Sequence, residues 1–343
     1  MSRARDIADI QDNAGGAVAP FVAGKNKIIN GDFGVWQRGT SFTIPVDTTT
    51  FSADRVRSNR NGTATVTISQ QTFALGNTIS GYEPQYFFRM NQATNGTGQT
   101  YSNFYTHRVE DVRTFAGQTV TLSFWAKADS TRTLGLVMGQ YFGTGGSTTV
   151  YTTIEGLTLT TGWVRYSRTF TVPSIAGKTI GTGEVCLEIN IQNANLNTAQ
   201  TIDLWGVQWE LGSVATPFTT ATGTIQGELA ACQRYYYRWT ASATYSPVLF
   251  GGFYSTSQAK YIMYTPVTMR TAPSTLDYGG TFRLTDQTNY SDFTGMTLVV
   301  STEASLVPQI IATASAASFA NFRPAWLTAS NSATAYIGLS AEL

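Results

Sequence analysis

The chain has 343 residues, 42% hydrophobic and 13% charged, with 22 basic residues against 21 acidic ones. A formal net charge of +1 leaves no electrostatic footprint for gripping nucleic acid or an anionic membrane, and the length suits two structural units with cores of their own. Only Cys186 and Cys232 occur, without a Cys-x-x-Cys spacing, so neither a disulfide framework nor a zinc site is indicated and two buried free thiols are expected. Thr (54 residues), Gly (32) and aromatics (43) favour strands joined by tight turns. No run of 18 apolar residues exists, and the N-terminus lacks the apolar core of a signal peptide. Membrane insertion is therefore not expected, and synthesis in a cytoplasm is.

Residues 2–14 open on Ser2 as a candidate N-cap, space Ile7, Ile10 and Ala14 for one helical face, and stop at Gly15-Gly16. A helix so short is marginal alone. Residues 1–24 thus read as an attachment peg and linker with Ile7 and Ile10 as contact positions, a disordered tail being the other reading. Residues 25–219 are strand after strand. Residues 64–68 and 120–124 alternate apolar and polar, and residues 164–172 repeat the pattern with Arg168 on the apolar face, where it must snorkel or pair. Val185, Leu187, Ile189 and Ile191 make one face of a further strand, with Glu188 and Asn190 opposite. Residues 201–211 carry apolar residues on both faces, as a strand covered on two sides does. About eight strands without a helix predict a two-sheet sandwich.

Past Thr216-Pro217, the spacing of Ile225, Leu229, Cys232 and Tyr236 predicts a helix over 225–237. Residues 247–254, 260–264, 296–300, 308–312 and 335–341 then read as short strands. The fold class is therefore mainly β: an N-terminal peg (1–24), a β-sandwich (25–219), then one helix and a smaller C-terminal β-sandwich (220–343).

The catalytic inventory is thin. His107 is the one histidine, so every Ser-His-Asp or Cys-His arrangement must pass through it. No Gly-x-Ser-x-Gly, His-Glu-x-x-His or P-loop pattern occurs. A glycosidase needs two carboxyl groups across one bond, and the adjacent Glu110 and Asp111 point to opposite faces of a strand. No catalytic residue is assigned and no enzyme is expected.

Four stretches carry a resemblance. Residues 26–39 (NKIINGDFGVWQRG) with Ser52-Ala-Asp-Arg55, residues 120–127 (VTLSFWAK), residues 162–173 (GWVRYSRTFTVP) and residues 202–212 (IDLWGVQWELG) resemble, in this order, the jelly-roll domains of carbohydrate-binding-module type found in phage tail and fibre proteins. Residues 215–236 are similar to the join to the C-terminal part of such proteins, and residues 1–8 to the start of tail-fibre proteins. Val56 departs from the pattern, since relatives often hold Trp there.

The resemblance implies a tail-fibre or other virion component, made in the host cytoplasm and often homotrimeric, joined to other virion proteins through residues 1–24 and attaching to host surface saccharide without catalysis. A purely architectural role as connector, collar or capsid fibre is the alternative, and a polysaccharide depolymerase the third reading. Some such modules carry a structural calcium, and Asn30, Asp32 and Asp203 match positions near it, although calcium takes six to eight oxygens. No other cofactor is implied.

Saccharide is held by laying an apolar sugar face on an aromatic ring while amides and carboxylates read the hydroxyls. Trp125 points away from the face of Val120, Leu122 and Phe124, and Trp205 and Trp209 share a face with Asp203, so all three are candidate platforms. Tyr254 and Tyr264, in a tyrosine-rich C-terminal segment, are further candidates. Tyr235, Tyr236 and Tyr237 cannot share one helix face, which marks Leu229 and Tyr236 as candidate interface positions at an oligomer axis.

Overall fold

The computed structural model describes residues 23–79, 81–286, 288–299, 308–316 and 319–343. Ile7, Ile10 and nearly all of the expected peg lie outside the described residues. Contacts divide the chain into one unit that runs to Leu229 and includes Leu343, and a second over residues 230–342.

The first unit is a sandwich of two antiparallel six-stranded sheets, its strands numbered along the chain. One sheet has the order β1 (Ser41–Thr43), β4 (Val66–Thr72), β5 (Tyr86–Gln92), β12 (Gln200–Leu211), β7 (Thr119–Ala128), β10 (Val164–Thr171). The other has the order β2 (Thr50–Phe51), β3 (Val56–Arg60), β6 (Ser102–Glu110), β11 (Thr182–Asn193), β8 (Arg132–Thr144), β9 (Val150–Leu159). The period of two sorts each strand. In β11, Leu187, Ile189 and Ile191 enter the core between the sheets while Glu188, Asn190 and Gln192 face away. Arg168 on β10 pairs as expected, donating to the backbone oxygens of Glu155 and Gly156. Cys186 and Cys232 are both buried, and neither is in a disulfide.

Two bulges decide which side chains go where. In β12 the register slips between Trp205 and Gln208, and Gly206 lies there at φ 66°. One extra residue flips the following side chains. Trp205 therefore stays on the outer face, packed with Trp125, Phe73, Phe87 and Phe218, whereas Trp209 turns into the core against Phe115 and Phe170. A β-carbon on Gly206 would stand 2.8 Å from Trp125 Cε3. Gly206→Ala is expected to destabilise the sandwich by about 2–4 kcal/mol, from the left-handed backbone plus that clash; a urea titration checks it by the shift of the midpoint. In β6 the register slips at Phe104, which returns Asn103 to the face of Thr106 and Arg108.

The second unit keeps the mainly β class, and its strands close further than a small sandwich would. β14 (Pro247–Phe253), β15 (Gln258–Ile262), β19 (Gln309–Ala314), β18 (Tyr290–Val299), β17 (Phe282–Thr285) and β20 (Pro324–Ala329) form a closed barrel. Its interior mixes Ala259, Ala312 and Ala329 with Phe253, Tyr261 and Leu327, the small-and-large filling that a narrow barrel requires. A three-stranded sheet of β13 (Tyr236–Thr240), β21 (Tyr336–Ser340) and β16 (Thr275–Gly279) accompanies it.

The helix is shorter than its spacing predicts. α1 spans Ile225–Gln233, with Thr224 capping it through Oγ1 to the Gly227 amide at 3.0 Å. Tyr236-Tyr-Arg-Trp-Thr240 instead pairs with β21, because aromatic and β-branched residues fit a pleated surface better than a helix end. The three tyrosines thus do not share a helix.

Candidate functional site

The outer face of the second sheet carries a cleft of about 320 Å³, within the usual size range of ligand sites. The ladder lines up its residues. Glu188 of β11 stands opposite Arg108 of β6 and Gly139 of β8, Asn190 opposite Thr106 and Val137, and Arg57 of β3 opposite Thr106.

Glu188 is the hub. Arg108 Nε donates to its Oε2 at 2.7 Å, Asn190 Nδ2 to its Oε1 at 2.7 Å and the Tyr141 hydroxyl to Oε1 at 3.1 Å. Thr106 in turn donates to Asn190 Oδ1 at 2.5 Å, and Arg57 Nη1 lies 3.9 Å from Glu188 Oε2. The Arg108 guanidinium sits 4.6 Å from the Tyr141 ring centroid and also pairs with Glu184 at 2.6 Å. Burial, then the charge of Glu188, pushes the Tyr141 phenol upward, which keeps it a donor. Burial and then Arg108 push the Arg57 guanidinium downward. On the same face burial raises the Cys186 thiol to about 11, so it is a neutral filler rather than a nucleophile.

The aromatic part is Tyr141 and Tyr151, edge to face with centroids 6.0 Å apart and hydroxyls 3.0 Å apart. Gly139, opposite Tyr151, makes room for them: a β-carbon there would stand 2.9 Å from the Tyr141 ring and 3.4 Å from the Tyr151 ring. Tyr151 is 60% exposed. The cleft thus combines an accessible ring with amides from Asn59, Asn103 and Gln192 and a fixed ion pair, which is what stacking a sugar and reading its hydroxyls requires. Glu188 is the only carboxylate among its described lining residues. His107 is fully buried in the core.

The residues expected as platforms are placed elsewhere. Trp125 and Trp205 are each 3% exposed and Trp209 is fully buried, so none is an open platform: the outer face expected for Trp125 and Trp205 is correct, but Tyr82 and Phe218 cover it, and Trp205 reaches only the wall of a neighbouring cavity. Tyr254 and Tyr264 are exposed on the second unit, the Tyr254 hydroxyl donating to Gln258 at 2.7 Å. Leu229 is partly exposed on α1, whereas Tyr236 is buried with its hydroxyl donating to Asp277 at 2.7 Å, so it is not free to meet another chain. Asn30, Asp32 and Asp203 are not assembled into a calcium donor set. Asn30 braces a turn through Val35 and Asp54, and Asp203 is held by Arg89 at 2.6 and 2.8 Å and by Lys127 at 3.5 Å. Among the described residues no group of three or more His, Cys, Asp or Glu side chains is placed to hold a metal.

The cleft residues missed at the sequence level are Arg57, Arg108, Tyr141, Tyr151 and, as a site residue, Glu188. The available signal was the polar face of residues 185–191, already legible as the face opposite the core.

Residues 71–194 match the family model described as a carbohydrate binding domain, a span that holds most of the cleft. No curated protein matches the chain. Similar solved structures include the enzymatically active domain of tailspike protein 4 of bacteriophage CBA120, at 17% identity over 55% of this chain and 22% of that one, TM-score 0.32. The second xylan-binding domain (CBM22-2) of Paenibacillus barcinonensis Xyn10C is similar at 14% identity over 55% of this chain and 98% of that domain, TM-score 0.32. The N-terminal cellulose-binding domain of Cellulomonas fimi β-1,4-glucanase C is similar at 18% identity over 40% of this chain and 86% of that one, TM-score 0.28. At such scores these likenesses carry no argument about function; the family match covers residues 71–194, about a third of the chain, all within the unit that folds as a β-sandwich.

Proposed function

We propose that the chain is a non-catalytic saccharide-binding protein whose ligand lies in the cleft of β3, β6, β11, β8 and β9. The observation that carries this reading is the cleft itself, in which an accessible tyrosine pair meets a fully hydrogen-bonded carboxylate and a row of amides on the span that matches a carbohydrate binding domain. On a glycan array the full chain is expected to retain at least one oligosaccharide class, and Tyr151→Ala to weaken that binding at least tenfold, the loss of roughly 1.4 kcal/mol or more typical of an aromatic anchor. Binding of no saccharide under any condition would leave the architectural reading in its place.

The finer reading, which rests on the motif resemblance, is a homotrimeric phage tail fibre or similar appendage. It is held to other virion proteins through residues 1–24 and presents its β units to host surface saccharide. Light scattering of the full chain is expected to give the mass of three copies, and a monomer at micromolar concentration would remove the trimer from the proposal.

A further inference from the structure

A second cavity of the sandwich unit, of about 420 Å³, opens at the turn of Asp32 and Gly34, the segment from Tyr82 to Tyr86 and the first turn of α1. Its walls combine the rings of Tyr82, Tyr86, Trp205 and Phe218 with the carboxylates of Asp32, Glu83 and Glu228. No Lys, Arg or His is among its described lining residues. We propose that this cavity is a separate binding site for small organic ammonium ions, the carboxylates supplying the countercharge and the aromatic wall the contact for the ligand body.

The three carboxylates differ, Glu83 accepting the Gly76 amide at 3.0 Å through Oε1. Glu228 is buried, and its oxygens accept the amide of Asn30 at 2.8 Å, the amide of Thr222 at 2.7 Å and the hydroxyl of Thr222 at 2.8 Å. It is a fixed negative charge satisfied by neutral donors. Asp32 accepts the Gly34 amide at 3.5 Å, a marginal bond, and its carboxyl is pushed upward first by burial and then by Glu228. The neighbouring charge of Glu228 favours a cation beside Asp32.

The rest of the wall says which cation. A hard metal ion takes six or more oxygens, whereas this lining includes a group of rings, with Tyr82 and Trp205 5.6 Å apart between centroids and Trp205 and Phe218 5.0 Å apart. Aromatic faces attract a weakly hydrated organic cation. The site is thus matched to a charged head on an apolar or sugar body, and it does not involve the tyrosine cleft.

Titration of the full chain with choline, glucosamine and N-acetylglucosamine, followed calorimetrically and by ligand-observed NMR, tests this. Saturable binding of choline or glucosamine is expected, with N-acetylglucosamine, the same ring without the positive charge, at least tenfold weaker. Choline alone would indicate ring contacts as the main source, glucosamine alone hydrogen bonds from a primary ammonium, and either supports the site. Asp32→Asn is expected to weaken binding at least tenfold. Gly34→Lys should do the same while leaving all three carboxylates in place, because its β-carbon would stand 3.5 Å from Asp32 Oδ2 and the new ammonium would occupy the site. Tyr141→Ala, in the other cleft, should leave it unchanged. Binding of neither cation, equal binding of N-acetylglucosamine, or wild-type binding by both Asp32→Asn and Gly34→Lys would overturn the proposal.

Discussion

Glu188→Ala is expected to lower the stability of the sandwich by about 3 kcal/mol and its melting temperature by roughly 6–12 °C, the low end of what breaking a buried pair costs. Arg108 and Glu188 are 6% and 5% exposed, so removing the carboxylate leaves a guanidinium out of water with half of its partners. Glu184, which also pairs with Arg108, has a side chain 60% exposed, and it holds the loss at that low end. The exposed partner is the control: Glu184→Ala should change stability by no more than about 1 kcal/mol, as solvent-exposed pairs do. Calorimetry of the two variants separates the cases, and equal melting temperatures would show that Glu188 is not the hub of the face. The same substitution should also weaken saccharide binding, because Tyr141 and Asn190 take their orientation from Glu188.

The second large effect is on pH. His107 is fully buried, and neither ring nitrogen has a hydrogen-bond partner in the protein. Burial, and then the charge of Arg55, lowers its pKa well below the ordinary value. The folded chain therefore keeps a neutral ring where the unfolded chain takes up a proton. Protons bind more to the unfolded state below about pH 6.5, so stability falls as pH falls through that point, by about 1.4 kcal/mol per pH unit and about 2 kcal/mol by pH 5. Denaturant midpoints between pH 7.5 and 5 should show this slope in the wild type and lose it in His107→Leu. A wild-type midpoint independent of pH in that window would contradict the placement of His107 in the core.

How far the fold was legible follows from where each piece of information lies. The period of two in residues 185–191 was enough to put Leu187, Ile189 and Ile191 inside and Glu188 and Asn190 outside, because alternation is a local property of a strand. What makes that outer face a site is the arrival of Arg108, Tyr141 and Tyr151 beside it, and this depends on strand order and register over long separations, which no local pattern encodes. Trp125 and Trp205 illustrate the converse. Their direction was readable, but the cover of Tyr82 and Phe218 comes from segments distant in sequence. Trp209 was assigned the wrong face because a single glycine bulge, Gly206, shifts the parity of β12. At Tyr236 the helical spacing was genuine, and pairing with β21 outweighed it.

Calorimetric titration of one oligosaccharide retained on the array against three forms of the full chain, wild type, Tyr141→Ala/Tyr151→Ala and Tyr264→Ala, tests the placement of the ligand most directly. Tyr264 is 76% exposed on the second unit and was an expected platform at the sequence level, so it tests the competing location. The predicted result is saturable binding by the wild type, none by the double variant and wild-type affinity for Tyr264→Ala. Undiminished binding by the double variant, or its loss in Tyr264→Ala alone, would contradict the placement of the ligand in the cleft.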